Sequence, residues 1–317
     1  MPREQKTGRA GESGNRGSGE RKTDNLIEGY LRWLEVERNL SPNTIYQYRR
    51  DLLMLSEHAR GLKRPLQQLT SSDLSNFIES LKRRRKYQPR TQARKVEALR
   101  CFYKWLVREE ILDRSPAEKL ETPKLPKALP FALTNEEQER IFNHTQSIAY
   151  GLRGKRDHCL FHFLFYLGLR VSELANLKFD NIRKTDEGRR VIQLFGKGNK
   201  ERRVPLHEKA AKALDDYLAA RPETPHNYVF LSLRGKTYRQ KIAVRSVQHL
   251  VKTYRKRLKL PERFTPHKAR STFLSRLIQQ GVDISIVGKL AGHANLQTTM
   301  GYLSFRDQDI RSAVDRL

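Results

Sequence analysis

The amino-acid sequence predicts a mainly α-helical protein with a small antiparallel β-sheet, arranged as two domains. Apolar residues recur at helical spacing through most of the chain, and a proline-rich segment interrupts this pattern. One later stretch alternates like a strand, a turn and a second strand. The length of 317 residues also exceeds the roughly 100 to 200 that a single hydrophobic core commonly serves.

The chain is strongly basic, and this charge favours a polyanionic partner. Its 63 Lys and Arg residues against 35 Asp and Glu residues give a formal net charge of +28. Nucleic acid is the first candidate because cations that neutralise its phosphates release condensed counterions. A charge that only aids solubility and a membrane surface are the alternatives. The hydrophobic fraction of 37% and the lack of a long apolar run argue against a membrane.

The termini and cysteines predict a soluble, cytoplasmic protein. The N-terminus has basic residues with no apolar stretch behind them, so it does not resemble a secretory signal. Cys101 and Cys159 lie in apolar helical segments without a metal-ligand spacing. This is typical of buried thiols in a reducing compartment, and we expect no metal and no cofactor.

Residues 1–22 are rich in Gly, Ser, Arg and Glu, and we expect a disordered basic tail. A DNA-touching arm, a cloning remnant and a solubilising tail all remain open for it. Residues 23–115 predict a helical domain that binds DNA. Its first helix carries an apolar stripe, its second opens at "SP", its third follows "TSSD" and its fourth begins at Thr91. The stripe consists of Leu26, Ile27, Tyr30, Leu31 and Leu34.

The polar helix faces of this first domain carry an excess of positive charge. A solvated surface is the simple interpretation, but the run "KRRRK" and the next helix start favour phosphate contact. Lys82, Lys86 and Lys95 belong to these faces. The candidate DNA contacts are Arg49, Arg50, Arg83, Arg84, Arg85, Arg90 and Arg94.

Residues 116–131 contain four prolines, which favour extended chain, and predict an interdomain linker. The second domain, 132–317, opens on a capping box at Thr134 to Glu137. Its strand pattern is "RRVIQLFGKGNKERRVPL". The predicted helices cover 135–147, 156–167, 171–177, 207–220, 242–258, 266–280 and 283–290.

Two short motifs place charged side chains at chain reversals. In "LGLRVSELANL", Gly168 can adopt a left-handed cap, so that Arg170 and Glu173 lie on the next turn. A plain surface ion pair is the alternative. In "FGKGNKERRVPL", Lys197 lies between two glycines at a hairpin tip, where it could contact phosphate or deliver a proton. An ordinary exposed lysine is the alternative there.

Two further motifs follow. In "TPHKARSTF", Thr265 and Pro266 predict a helix start, with His267 and Arg270 on one face at its positive end, which favours an anion. The basic residues could also be incidental. In "AGHANLQTTMGYL", a histidine, His293, precedes Tyr302, which is either a nucleophile or a half-buried core residue.

Together these side chains suit phosphoryl transfer by electrostatics. A tyrosine of pKa about 10 is scarcely ionised at neutral pH, so its attack on a phosphodiester needs cationic neighbours and help with its proton. Arginines can hold the charge of the pentavalent phosphorus without a metal ion. The sequence shows no metal-ligand cluster, paired carboxylates or nucleotide-binding glycine loop.

The motifs "GLRVSEL", "GKGNKERRVPL", "TPHKARSTF" and "LAGHANLQTTMGY" occur in the order found in the tyrosine site-specific recombinases. Over roughly residues 24–317 the chain resembles this family, and most closely its Xer-type members. The resemblance implies a two-domain clamp on a double-stranded DNA recombination site. It also implies a tetramer on DNA, formed with itself or with a paralogue, in which a helix at about 304–317 docks on a neighbouring protomer. That helix could instead pack on its own domain.

The resemblance also implies residue roles. Arg170 and Arg270 would hold the scissile phosphate, Lys197 would protonate the leaving 5′ oxygen and His267 would assist proton transfer. His293 would hydrogen-bond the phosphate, Glu173 would support the site, and Tyr302 would form a 3′-phosphotyrosine without ATP or metal. Ser271 and Ala291 depart from the common family residues His and Leu. A transposon or phage integrase, a type IB topoisomerase and a DNA-binding protein that does not cut are the alternatives.

Overall fold

The structure is a computed structural model that describes residues 14–85, 87–124, 131–195, 201–233, 235, 238–292 and 299–300. Side chains are described from residue 24 onward within these ranges, except at 84 and 85. The chain divides into two compact units, Met1–Lys127 and Ala128–Leu317. Among the described helices, none is long and apolar enough to cross a membrane.

The fold is mainly helical with one small antiparallel sheet, as the sequence predicts. Strands β1 (Ile182–Lys184), β2 (Arg190–Phe195) and β3 (Glu201–Pro205) pair in the order β1-β2-β3. The helices are α1 (Gly14–Val36), α2 (Pro42–Gly61), α3 (Ser71–Arg85), α4 (Pro89–Arg108), α5 (Asn135–Ser147), α6 (Leu152–Tyr166), α7 (Val171–Ala175), α8 (Glu208–Ala220), α9 (Val244–Arg257), α10 (Pro266–Gln279) and α11 (Ile284–Ala291). Short 3-10 helices cover Leu66–Gln68 and Phe179–Asn181.

Helix starts follow the local capping signals in the sequence. The Ser41 hydroxyl accepts a hydrogen bond from the Thr44 amide ahead of α2. Thr134 and Glu137 form a reciprocal capping box at α5. Because a cap satisfies amides that the first helical turn leaves unpaired, these short motifs fix where each helix begins.

The core of the first unit is built on the apolar stripe of α1. Ile27, Tyr30, Leu31 and Leu34 are buried, and they join a cluster that contains Phe102 of α4. Helix α1 begins at Gly14, so residues 14–22 are helical where the sequence predicts disorder. Each residue added to an existing helix gains one backbone hydrogen bond, and a packed helix therefore extends past the segment that packs.

The first part of the predicted linker belongs to the first unit. Ala117 and Leu120 are buried in its core. The Ser71 hydroxyl donates to the Pro116 carbonyl at 2.7 Å, and Arg100 hydrogen-bonds the Leu120 carbonyl. An extended linker over all of 116–131 is therefore wrong for its first residues, because two apolar side chains find a core within reach.

The second unit is organised around α6. Every residue from Arg156 to Phe165 is buried, so this helix is enclosed on all sides. Ile192 and Leu194 of β2 and Val204 of β3 join the same core, which fixes one face of the sheet. The C-terminal end of α6 leads directly into the turn that carries Arg170.

A chain of neutral hydrogen bonds runs through α5 and α6. The Thr145 hydroxyl donates to the Phe142 carbonyl at 3.1 Å, so Nδ1 of His158 must donate to Thr145 at 2.9 Å. Nε2 of His158 then accepts from Nε2 of His162 at 3.0 Å. Burial lowers the pKa of both imidazoles, and His158 lowers the pKa of His162 further, to about 3. A proton on His158 would break this chain.

Replacing His162 by Phe should reduce the fall in unfolding free energy that occurs as the pH is lowered. The unfolded imidazole takes up a proton near pH 6.5 and the folded one only near pH 3, so stability falls as pH drops between these values. Between pH 7.5 and 5.5 one such group costs about 1.4 kcal/mol of unfolding free energy. Urea unfolding at both pH values measures it, with His249→Gln as the control for an exposed imidazole. An equal acid loss in wild type and His162→Phe would contradict the assignment.

Candidate functional site

Arg170 lies just after a glycine corner between α6 and α7. Gly168 has a φ of +57°, as the sequence predicts, and a Cβ placed there would lie 2.3 Å from the Phe273 ring of α10. Nη1 of Arg270 donates to the Gly168 carbonyl at 2.7 Å. The corner is therefore held tightly against α10, which brings Arg170 near Arg270.

Glu173 joins two guanidinium groups. Its Oε2 accepts the Arg170 backbone N–H at 2.8 Å, and its Oε1 accepts Nη1 of Arg170 at 2.9 Å. Nη1 and Nη2 of Arg202 donate to the same oxygens at 2.8 and 2.6 Å. Burial alone would raise the pKa of Glu173, but Arg202 and then Arg170 outweigh it and lower that pKa below its ordinary value. The carboxylate is therefore ionised at neutral pH.

Helix α10 carries two further predicted site residues, His267 and Arg270. Thr265 caps the helix by accepting the Lys268 amide, and Pro266 takes the first helical position, as the sequence predicts. The Arg270 side chain is buried, whereas His267 is exposed. Partial desolvation, followed by the charges of Arg270, Lys268 and Arg170, lowers the pKa of His267. Its imidazole is therefore neutral at pH 7 and able to accept a proton.

Three guanidinium groups bind the last carbonyls of α11. Nε of Arg202 donates to Leu290 at 3.1 Å, and Nη2 of Arg170 donates to Gly292 at 2.8 Å. Nη2 of Arg270 donates to the Ala291 carbonyl between them. Gly292 has a φ of +60° and ends the helix. Positive charge thus surrounds the negative end of the helix dipole.

Three predicted site residues, Lys197, His293 and Tyr302, lie outside the described residues, as does the expected helix at 304–317. Their neighbours are described. Phe195 pairs with Glu201 across the base of the hairpin that carries Lys197. The structure therefore brings together Arg170, Glu173, His267 and Arg270, and it fixes the chain immediately before His293.

The predicted DNA contacts of the first unit differ in their surroundings. Arg49 pairs with Glu28, Arg83 with Glu79 and Arg94 with Asp51. Arg50 and Arg90 are exposed and have no ion pair with another described residue. The side chains of Arg84 and Arg85 lie outside the described part of the chain.

Lys95 does not lie on a polar face, contrary to the sequence prediction. Its side chain is 5% exposed and its ammonium bonds the Asp51 carboxylate. Asp51 is itself buried and also accepts Arg94. A buried carboxylate that faces α4 draws the lysine inward, a contact across 44 residues that helical periodicity does not reveal.

Arg202 is a site residue that the sequence prediction missed. It lies in the quoted motif "GKGNKERRVPL", but only Lys197 was considered there. A signal was present, because strand residues alternate between two faces and Arg202 shares the face of the apolar Val204. Among the described residues, no group of three or more His, Cys, Asp or Glu side chains is placed to hold a metal ion.

Comparisons with known proteins identify the family. The phage integrase family model matches residues 132–309, and the phage integrase N-terminal SAM-like domain matches 27–110. The chain is 33% identical over 286 residues to the tyrosine recombinase XerC of Leptospira interrogans, covering 89% of each protein. It is 34% identical to the tyrosine recombinase XerD of Listeria monocytogenes, covering 88% of this chain and 93% of that protein.

Solved structures share the fold. The XerH site-specific recombinase bound to difH substrate matches with a TM-score of 0.69 at 21% identity, covering 94% of this chain and 88% of that one. The Tn1549 transposon integrase in complex with a circular intermediate DNA matches with a TM-score of 0.70 at 20% identity, covering 92% and 98%. The chain belongs to the phage integrase family. Within it, the chain is a tyrosine recombinase of Xer-like type, an enzyme that breaks and rejoins DNA strands.

Replacing Gly168 by Ala should destabilise the second unit more than replacing Gly188. Both glycines have positive φ, so either alanine adds about 1 to 2 kcal/mol of backbone strain. Only at Gly168 does the new methyl group meet an aromatic ring, which adds about 1 to 3 kcal/mol of overpacking. Chemical denaturation of both variants measures the difference. The losses from Gly168→Ala and Phe273→Ala should be less than additive in the double variant, because the ring that the new methyl group meets is then gone. Equal losses at the two glycines would contradict the packing argument.

Proposed function

We propose that Tyr302 is the nucleophile of this recombinase and that Arg170 and Arg270 bind the scissile phosphate. Attack of the tyrosine oxygen would form a 3′-phosphotyrosine and release a 5′ hydroxyl. Attack by the 5′ hydroxyl of the exchanging strand would then restore a phosphodiester and free the tyrosine. The main support for this proposal is that both arginines bind consecutive carbonyls at the end of α11, directly before His293 in the sequence.

The described contacts support the phosphate-binding role. Arg170 keeps 39% of its side chain exposed while Glu173 fixes its orientation. A guanidinium held in this way can donate two parallel hydrogen bonds to phosphate oxygens, and it stabilises the charge that builds up on pentavalent phosphorus. His293, next to the carbonyl that Arg170 binds, would donate a further hydrogen bond to the phosphate.

Two residues would move protons. His267, with its lowered pKa, would accept the proton of the Tyr302 hydroxyl as the O–P bond forms. Lys197 would donate a proton to the leaving 5′ oxygen. Each cleavage exchanges one phosphate ester for another, so the bond energy stays in the phosphotyrosine and the reaction needs neither ATP nor a metal ion.

The cavity beside His267 indicates where DNA would continue. It measures about 380 Å³ and is lined by Val171, next to Arg170, and by polar side chains of α9. Those of Gln248, Lys252 and Arg255 face it. We assign this part of α9 to contacts with DNA next to the scissile phosphate, and Arg50 and Arg90 of the first unit to backbone phosphates.

We propose a tetramer on two DNA duplexes, formed with itself or with a paralogue, in which the segment at about 304–317 docks on a neighbouring protomer. Similarity to XerC and XerD proteins favours resolution of chromosome or plasmid dimers over transposon or phage integration. Because such DNA lies in the cytoplasm, the protein would act there and serve chromosome partition at cell division.

Replacing Tyr302 by Phe should abolish covalent attachment to DNA while leaving binding within about twofold of wild type. The phenyl ring keeps the size of the side chain but has no oxygen to form the ester. A nicked suicide substrate carrying the recombination site, resolved on denaturing gels, would detect the adduct. Tyr238→Phe, at an exposed tyrosine, is the matched control and should cleave normally. An adduct that persists in Tyr302→Phe would identify another nucleophile.

Replacing Arg50 or Arg90 by Ala should weaken DNA binding similarly for all sequences. Each lost phosphate contact should reduce the slope of log affinity against log salt by about 1. Fluorescence anisotropy at several salt concentrations measures the slope. Arg114→Ala removes the same charge at an exposed arginine paired with Glu118, and it should leave the slope unchanged. Identical slopes in wild type and both variants would exclude these contacts.

A further inference from the structure

Arg202 connects three parts of the candidate site. It lies on β3, directly after Glu201, which pairs with Phe195 at the hairpin base. Only 9% of its side chain is exposed. Its terminal nitrogens bind both oxygens of Glu173, and its Nε binds the Leu290 carbonyl at 3.1 Å. One side chain therefore joins β3, the turn from Arg170 to Glu173 and the chain before His293.

Arg202 packs closely against the end of α11. The last carbonyls of a helix lack partners within it, so they must be satisfied from outside. Arg202 provides one such partner and is in contact with the turn that follows. A Cβ on Gly292 would approach Cδ and Nη1 of Arg202 to 3.0 Å. The Arg202 side chain therefore fills the space that a larger residue at 292 would occupy.

Arg202 also controls how Glu173 holds Arg170. Oε1 of Glu173 accepts hydrogen bonds from both arginines, at 2.8 Å from Arg202 and 2.9 Å from Arg170. Without Arg202, the carboxylate would lose the two hydrogen bonds from the guanidinium fork and keep those from the backbone N–H and Nη1 of Arg170. Its orientation toward Arg170 would then be less firmly fixed. Lysine cannot replace this fork, because one ammonium cannot bind two carboxylate oxygens and a carbonyl with the same fixed geometry.

We infer that Arg202 is a positioning residue for strand cleavage, which acts through Glu173 and the Leu290 carbonyl to orient Arg170 and the chain before His293. This inference rests on the proposed function of Arg170. Because its nitrogens bind Glu173 and Leu290, Arg202 is assigned no contact with the phosphate. Its effect is on geometry, where a displacement of about 1 Å at a reacting group can cost on the order of 100-fold in rate.

The neighbouring Arg203 offers a matched control. It lies on the opposite face of β3, its side chain is 71% exposed, and it pairs with Glu201. Arg202→Lys and Arg203→Lys therefore make the same chemical change at adjacent positions, one inside the network and one outside it.

The test is single-turnover cleavage of a suicide substrate at saturating DNA, together with DNA affinity and thermal unfolding. For Arg202→Lys we expect cleavage about 10- to 100-fold slower, with affinity within about twofold, as a misplaced Arg170 would cause. Arg203→Lys should match wild type. A folded Arg202→Lys protein that cleaves at the wild-type rate would overturn the inference, and so would a loss no larger than its unfolded fraction.

The separation of rate from affinity distinguishes positioning from simple structural support. A general loss of folded protein would lower the amount of bound DNA together with the cleaved fraction. A misplaced Arg170 would instead slow the cleavage of DNA that is already bound. Equal losses of affinity and of cleavage in Arg202→Lys would show that Arg202 only supports the fold.

A second variant covers the case in which Arg202→Lys does not fold. Glu173→Gln keeps the size of the side chain and leaves Arg202 bound to Leu290, and it should slow cleavage with little loss of affinity. Wild-type cleavage by a folded Glu173→Gln protein would overturn the inference. Failure of the proposed function is distinguishable, because wild-type cleavage by Arg170→Ala would refute the phosphate-binding role of Arg170 whatever Arg202 does.

Discussion

The carboxylate of Glu173, whose side chain is only 12% exposed, is the constraint on which the candidate site depends. Two guanidinium groups that lie close together repel each other, and an anion between them offsets this repulsion by attracting both. Glu173 supplies that anion to Arg170 and Arg202, and it also accepts the Arg170 backbone N–H. With Arg270 nearby, positive charge remains in excess around the end of α11. Such an excess suits a phosphodiester, which brings one negative charge and gains more as the reaction proceeds.

The first unit uses the same device for a different purpose. Asp51 of α2 binds Arg94 and Lys95 of α4, so one buried carboxylate again joins two cations. Here the ion pairs join helix α2 to helix α4. Losing one partner of a buried ion pair leaves an uncompensated charge, which is strongly destabilising. In so basic a chain, carboxylates such as Asp51 and Glu173 decide which of the neighbouring cations hold the fold.

Local features of the fold were predictable from sequence, whereas contacts between distant segments were not. The caps at Ser41, Thr134 and Thr265 depend on neighbouring residues, so the sequence alone was enough to place them. Lys95 and Arg202 gave the opposite result, because each is drawn inward by a carboxylate far away in the chain. The candidate site divides in the same way. Motifs identified Arg170 and Arg270, but the network that orients them required the tertiary structure.

The carbonyls at the end of α11 hold the arginines in an orientation that suits phosphate binding. A carbonyl oxygen is a weaker acceptor than a charged phosphate oxygen, so it can orient a guanidinium without competing strongly for it. Each terminal nitrogen of Arg170 carries two hydrogens, and its bonds to Glu173 and Gly292 use one on each. A phosphate could therefore bind without breaking the bonds that fix the side chain. Because those bonds exist before DNA arrives, the cost of orienting Arg170 is met in folding and does not add to the barrier of the reaction.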